Sequence, residues 1–338
     1  MKAVAYREAG GIDRAEALID VDLPMPVPQA QDLLVKVLAV SVNPVDAKVR
    51  STRAPQAGEV LVCGWDACGV IEAVGEQVKR FKVGDRVFYA GDINRQGSNA
   101  EYHVVDERIV GHAPKTLSDA ESAAMPLTSI TAWEILFDRL SVPRGGGQNQ
   151  TLLIVGGAGG VGSMLIQLAR QLTQLKVIAT ASRDESIEWC AKLGAHHVVD
   201  HRQPLQPQLA KLGVQSVDRI ASLTHTSDHW PQLVELAAPF GRIAMIDDLK
   251  QVDLSPLKRK SLSVHWEYMF TRPTFATQDM AEQGRLLDRV AALVEAGSLR
   301  TTLSETLQPI NASNMIRAHQ RVESGTMCGK MVVQGFEG

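Results

Sequence analysis

The chain has 338 residues, 45% of them hydrophobic and 22% charged, with a formal net charge of −3. That length suits about two domains with separate cores, and the near-balanced charge leaves no basic footprint for nucleic acid. No apolar run reaches the roughly 20 residues that span a bilayer. The opening MKAVAYREAGG lacks the apolar core of a secretory signal, and four cysteines in this length make no disulfide framework. A reduced cytoplasmic protein is expected.

Residues 2–6 (KAVAY) read as a short strand and 33–42 (LLVKVLAVSV) as a longer one. Pro24, Pro26 and Pro28 keep the connection between them extended. Three β-like segments follow, CGVIEAVG, GDRVFY and AEYHVV, set apart by Gly-Asp and Gly-Ser turn signals. An antiparallel barrel or sandwich is expected there. From Asp119 the pattern turns helical, in DAESAAM and SITAWEILFDRL, with Pro126 between them.

Residues 151–163, TLLIVGGAGGVGS, organise the rest. A buried apolar strand runs into glycines and then into MLIQLARQL, whose apolar residues fall at helical spacing. Strand, glycine turn and helix open a dinucleotide-binding βαβ unit. Glycine permits the tight turn, and the helix N-terminus holds the pyrophosphate. The cofactor contacts assigned here are Gly156, Gly157, Ala158, Gly159, Gly160, Val161 and Gly162.

Beyond this, KVIATA, HHVVD, VDRIAS, GRIAMI and LSVHW read as strands, alternating with helices at ESIEWCAKLG and DHWPQLVELA. Alternation with buried strands means a doubly wound parallel sheet. Residues 280–294 form an amphipathic helix, 301–310 are extended, 312–321 are helical and KMVVQG is a closing strand. The expected fold class is α/β: a β-rich domain (1–128 and 276–338) interrupted by an inserted Rossmann domain (129–275).

The tip of the second strand meets the adenosine ribose about 20 residues past the glycines, where an acid selects NAD and a cation accepts the phosphate of NADP. Ser182 and Arg183 stand there, the arginine offering a planar fork to phosphate. Asp184 either turns to the ribose or caps the helix starting at Glu185, the second being favoured for Asp. A surface charge is the plainer alternative for Arg183. NADP(H) is the expected cofactor. Thr224, following VDRIA at the carboxyl edge, is assigned as a further contact.

SVNPVDAKVR (41–50), GVIEAVGEQVKRFKVGDRV (69–87), AEYHVV (100–105), PLTSITAWE (126–134) and VGGAGGVGS (155–163) together resemble the medium-chain dehydrogenase/reductase superfamily, most closely its zinc-free quinone oxidoreductase branch. The resemblance implies a GroES-like substrate domain, a Rossmann domain, an active-site cleft between them and a homodimer, with the strand at 262–266 a pairing edge. In the metal-dependent members a cysteine follows the strand at 33–42 and a Gly-His-Glu motif lies downstream. Here the first segment is Ser41 to Asp46 without cysteine, and the second is Gly64-Trp65-Asp66. Cys63 and Cys68 have no second pair or clustered histidine to complete a tetrahedral set. No metal is expected.

Without zinc, a carbonyl is polarised by hydrogen-bond or proton donors. Asn43 and Asp46 occupy the segment that carries a zinc ligand in the metal-dependent relatives. Asn43 either donates to a substrate oxygen or serves as a turn residue; Asp46 is an acid or a cap. Trp65 stacks over a flat substrate or packs internally. Thr128 and Thr131 resemble positions near the nicotinamide, with helix-start bonding the alternative. Tyr89 and Tyr102 are candidate proton donors or packed rings. The expected function is NADPH-dependent reduction of quinones or α,β-unsaturated carbonyls by hydride transfer without zinc. A zinc-free NADP-dependent alcohol/carbonyl dehydrogenase and a non-catalytic NADPH-binding protein are the alternatives. The expected partners are a small carbonyl or quinone substrate and a second copy of the chain, with no nucleic acid and no membrane.

Overall fold

A computed structural model describes residues 1–249 and 251–336. Two compact units emerge: Met1–Ile130 with Phe270–Gly338, and Thr131–Met269.

In the first unit the strand Asp32–Ser41 is the spine of a seven-stranded sheet. It pairs antiparallel with Ala67–Val74, Tyr102–Asp106 and the C-terminal strand Lys330–Gln334. Its DLLVKVLAVS run is almost continuously buried, which suits a strand enclosed by neighbours. The register Val332↔Ser41 returns the tail to the first domain. Leu303–Leu307 pairs parallel to Lys330–Gln334, an exception to the antiparallel expectation. The helix Glu282–Glu295 runs close to the β-rich part at Gly284, where a Cβ would lie 2.6 Å from Arg108 O.

Short elements escaped the sequence reading. The strands Ile19–Asp22, Leu61–Val62 and Val110–His112 are two to four residues long, too brief for period-2 alternation to register. The helix Pro44–Thr52 was legible only at its cap. Pro126 does not separate two helices at a distance; it opens the helix Pro126–Trp133, where its missing N–H costs nothing. That helix continues as a π-helical turn, Glu134–Arg139.

The second unit is a six-stranded parallel sheet. Its spatial order is His197–Val199, Lys176–Thr180, Thr151–Val155, Val217–Ser222, Ala237–Met245, Ser263–Trp266. Numbered along the chain this is 3-2-1-4-5-6, the doubly wound Rossmann order. Leu153, Ile178, Ile220 and Ile243 are fully buried and pack with Leu209, Trp230 and Leu233. Burial on both faces is why these strands read as unbroken apolar runs. Among the described residues no helix is long and apolar enough to cross a membrane.

Candidate functional site

The glycine cradle lies at the carboxyl end of Thr151–Val155 and runs into the helix Gly160–Leu172, with Gly159 as its N-cap. Gly156 takes φ +86°, and a Cβ there would meet Thr224 Cγ2 at 2.9 Å. A Cβ on Gly157 would strike Ala179 Cβ at 2.7 Å, and one on Gly162 the carbonyl oxygen of Gly156 at 2.4 Å. These three glycines therefore serve the turn and the helix–strand packing. Gly159 differs: its Cβ would meet only Gly156 O, at 3.7 Å. The space beside it is open, and the N–H groups of Gly160, Val161 and Gly162 belong to the first turn, which a helix leaves without intrahelical acceptors. Ser163 fixes this helix start: its Oγ donates to Gly159 O at 2.7 Å and accepts from Trp189 Nε1 at 2.8 Å.

Thr180, at the tip of the second strand, ties the cradle to its surroundings. Its Oγ1 accepts from Gly156 N at 3.1 Å and contacts His201 Nδ1 at 3.2 Å. Ser182 and Arg183 follow after Ala181, Arg183 exposed. The helix after them is Asp184–Lys192 with Arg183 itself the N-cap, so Asp184 lies one position inside the cap expected of it. Ser186 Oγ accepts from Arg183 N at 3.1 Å and donates to Arg183 O at 2.8 Å. Thr224 stands over Gly156, and its hydroxyl contacts His225 Nδ1 at 2.7 Å.

In the first unit, Asn43 and Asp46 belong to a buried polar network with Asp66 and Lys330. Each is 2% exposed or less. Asn43 caps the helix Pro44–Thr52, and Asp46 Oδ2 accepts its N–H at 2.7 Å while Oδ1 accepts from Gly64 N at 2.9 Å. Asn43 Nδ2 donates to Asp66 Oδ2 at 3.0 Å and lies 3.4 Å from Ser41 O. The Lys330 ammonium donates to Asn43 Oδ1, to Val42 O at 2.9 Å and sits 3.3 Å from Asp66 Oδ2. Asp66 Oδ1 accepts from Leu127 N at 2.9 Å. The Asn43 amide is thus occupied at both ends, and a substrate oxygen would have to displace these partners. Burial pushes Asp46 up to about 7 and Asp66 up to about 6, against the pull of Lys330 and the N–H donors. Burial lowers Lys330.

Trp65 is buried against Phe270, edge to face at 6.3 Å, and its Nε1 donates to Asp92 O at 3.3 Å. That is the packed-ring arrangement. Tyr89 is also buried and stacks on His103. The carbonyl of Gln96 can only accept, so His103 Nε2 carries the proton given to it at 2.9 Å; Nδ1 is then the acceptor of the Tyr89 hydroxyl at 3.1 Å. Burial lowers His103 to about 4. Thr128 donates back to Met125 O at 3.1 Å, the helix-start bond. Cys63, Cys68, Cys190 and Cys328 are all buried, and none is joined in a disulfide.

Four residues here were assigned no role from the sequence: Asp66, Lys330, Thr180 and His201. Lys330 lies 287 positions from Asn43, so only the pairing of the tail strand with Asp32–Ser41 brings them together. Thr180 was inside a recognised strand, and its place at the strand tip was the available clue.

A GroES-like β unit combined with a doubly wound unit carrying a glycine cradle defines a two-part dinucleotide-binding protein. Residues 29–115 match the alcohol dehydrogenase GroES-like domain, and 193–333 match the zinc-binding dehydrogenase model. A crystal structure from Rhizobium etli CFN 42, named for the zinc-dependent alcohol dehydrogenases, is 54% identical with a TM-score of 0.96, covering 100% of this chain and 98% of that one. A zinc-type alcohol dehydrogenase-like protein from Staphylococcus aureus (strain MSSA476) is 39% identical over 98% of this chain and 99% of its own. The 2-methylene-furan-3-one reductase of Solanum lycopersicum is 36% identical over 60% of this chain and 52% of its own. The chain belongs to the medium-chain dehydrogenase/reductase superfamily and is an oxidoreductase of that kind.

Proposed function

We propose that this chain is a cytoplasmic, homodimeric, NADPH-dependent reductase of quinones or α,β-unsaturated carbonyls that transfers hydride without zinc. The observation that carries the reading is the glycine cradle left open at Gly159 beside the helix N-terminus, with Ser182 and Arg183 at the tip of the adjacent strand. Bound NADPH supplies the hydride, and water supplies the proton that completes reduction. The helix N–H groups hold the pyrophosphate, Arg183 and Ser182 hold the ribose phosphate, and Thr224 shapes the turn. The tomato relative, whose name is that of an enone reductase, supports the substrate class.

Support for metal independence comes from the side chains themselves. Asp46 and Asp66 spend their oxygens on N–H donors and Lys330, and Trp65 stands between Gly64 and Asp66. Among the described residues no three His, Cys, Asp or Glu side chains are grouped to hold a metal ion. Four buried cysteines outside any disulfide suit a reducing compartment. For the homodimer, Ser263–Trp266 is the edge of the parallel sheet and Trp266 is 58% exposed on it.

The test is NADPH oxidation by purified protein with a quinone and an enone, with and without a chelator. Chelator-insensitive turnover is expected; turnover abolished by chelator and restored by zinc would overturn the zinc-free reading. Two relatives' names favour a second reading, NADP-linked alcohol oxidation. NADP+ reduction with a panel of alcohols tests it in the same cuvette.

A further inference from the structure

Three histidines from two chain segments converge at the carboxyl edge of the parallel sheet, beside the tip of the second strand. His201 follows the strand His197–Val199, His225 caps the helix Thr226–Leu236 in a left-handed conformation (φ +51°), and His229 lies one turn into that helix. The His201 and His229 rings meet edge to face at 6.1 Å. Thr180 Oγ1 accepts from Gly156 N and contacts His201 Nδ1, so one hydroxyl joins the histidine to the glycine turn. That contact uses Nδ1 of His201, so Nε2 is the ring nitrogen a ligand would meet. His201 and His229 are half-buried and His225 is exposed.

We propose that His201 and His229, supported by His225, form a proton-taking contact for the phosphate on the adenosine ribose of NADP(H). This rests on the NADPH reading above. The groups around His201 are Thr180, His229, His225, Asp200 and Arg202; those around His229 are His201, His225, Asp228 and Asp247. Asp200 is engaged by Arg202 at 2.9 Å and Asp247 by Thr226 N at 2.8 Å, so neither carboxylate is committed to an imidazole. Burial and then the neighbouring imidazoles lower both His201 and His229. A dianion placed among them reverses that repulsion and favours their charged, two-donor form. Such a contact discriminates for the 2′-phosphate more strongly as pH falls, down to where the phosphate itself takes a proton near pH 6.

The test is calorimetric titration of the full chain with NADP+ and with NAD+ at pH 6.5 and 8.5, in buffers of different ionisation enthalpy, for the native protein, His201→Gln and His229→Gln. NADP+ binding is expected to draw protons from the buffer and to tighten about fivefold at the lower pH, relative to NAD+. Both variants are expected to lose the proton uptake and keep NAD+ affinity, which also reports an intact fold. Proton uptake unchanged in both variants, or absent from the native protein while NADP+ binds, overturns the proposal. Equal uptake with NAD+ moves the contact to the pyrophosphate and overturns the ribose assignment. Binding of neither nucleotide overturns the NADPH reading itself.

Discussion

Substituting Gly159 and Gly162 separates affinity from stability within one turn of chain. A Cβ at Gly162 would lie 2.4 Å from Gly156 O and 2.6 Å from Gly157 O, main-chain atoms that cannot step aside. Overpacking of that kind costs about 1–3 kcal/mol. At Gly159 the φ of −68° suits any L-residue, and the added Cβ meets only Gly156 O at 3.7 Å. Gly159→Ala therefore costs the fold about 1 kcal/mol or less, the preference for glycine over alanine at an N-cap. On the proposed placement, the same methyl would fill space through which a pyrophosphate would reach the first helical N–H groups. Losing one charge-assisted hydrogen bond, about 1.5–3 kcal/mol, weakens binding about tenfold or more. Urea denaturation reads the first quantity and NADPH fluorescence titration the second. Gly162→Ala should lose stability; Gly159→Ala should unfold near the native midpoint and bind poorly. Native affinity in Gly159→Ala would refute the placement of the pyrophosphate, and native stability in Gly162→Ala would refute the packing argument.

Lys330→Met removes the ammonium that balances two buried carboxyls and should cost about 3–5 kcal/mol at pH 8; the loss should shrink at pH 5, where Asp46 and Asp66, raised to about 7 and 6, take up protons. Asp46 is held above its unfolded value of 3.8, so its contribution is full below that value and is lost as pH rises through about 7. The stability difference between native protein and Asp46→Asn, followed by urea denaturation, should fall by about 1.4 kcal/mol per pH unit between pH 5 and 7; a flat difference would place Asp46 among ordinary ionised carboxylates. Arg183→Ala should weaken NADPH about tenfold and leave NADH unchanged, and equal losses for both nucleotides would remove Arg183 from the ribose phosphate. Trp266→Glu on the exposed sheet edge should convert a dimer to monomer in light scattering; a monomeric native protein would dispose of that pairing.

What the sequence disclosed and what it withheld divide along a physical line. The strands Thr151–Val155, Lys176–Thr180 and Val217–Ser222 were legible because burial on both faces leaves an unbroken apolar run. The cradle was legible because positive φ and close backbone approach admit glycine almost alone, as at Gly156 and Gly162. Asn43, Asp46 and Trp65 were singled out as positions without their environment. Local spacing cannot tell an amide that faces a ligand from one that faces Asp66 and Lys330. The partner that decides the matter arrives on the last strand of the chain, and neither periodicity nor motif announces it. His201 was hidden for the same reason, since its meaning depends on Thr180 and His229 from other elements.

The buried network also bears on why the chelator arm of the turnover assay has the most leverage. To ligate a metal, Asp66 would abandon the N–H of Leu127 and the amide of Asn43, and Asp46 would abandon the N–H groups of Asn43 and Gly64. Each donor left buried and unpaired costs about 1–3 kcal/mol. A dication would also have to sit beside the Lys330 ammonium, which lies 3.3 Å from the Asp66 carboxylate. In a low-dielectric interior two such cations repel strongly, and the neutralising charge that a metal would bring is already supplied by the lysine. Zinc ligation by Asp46 and Asp66 would therefore require the helix Pro44–Thr52 and the tail strand to rearrange together, because Asn43 and Lys330 tie one to the other. Chelator sensitivity would count against the network as it stands; insensitivity would agree with a lysine, not a metal, balancing these carboxyls.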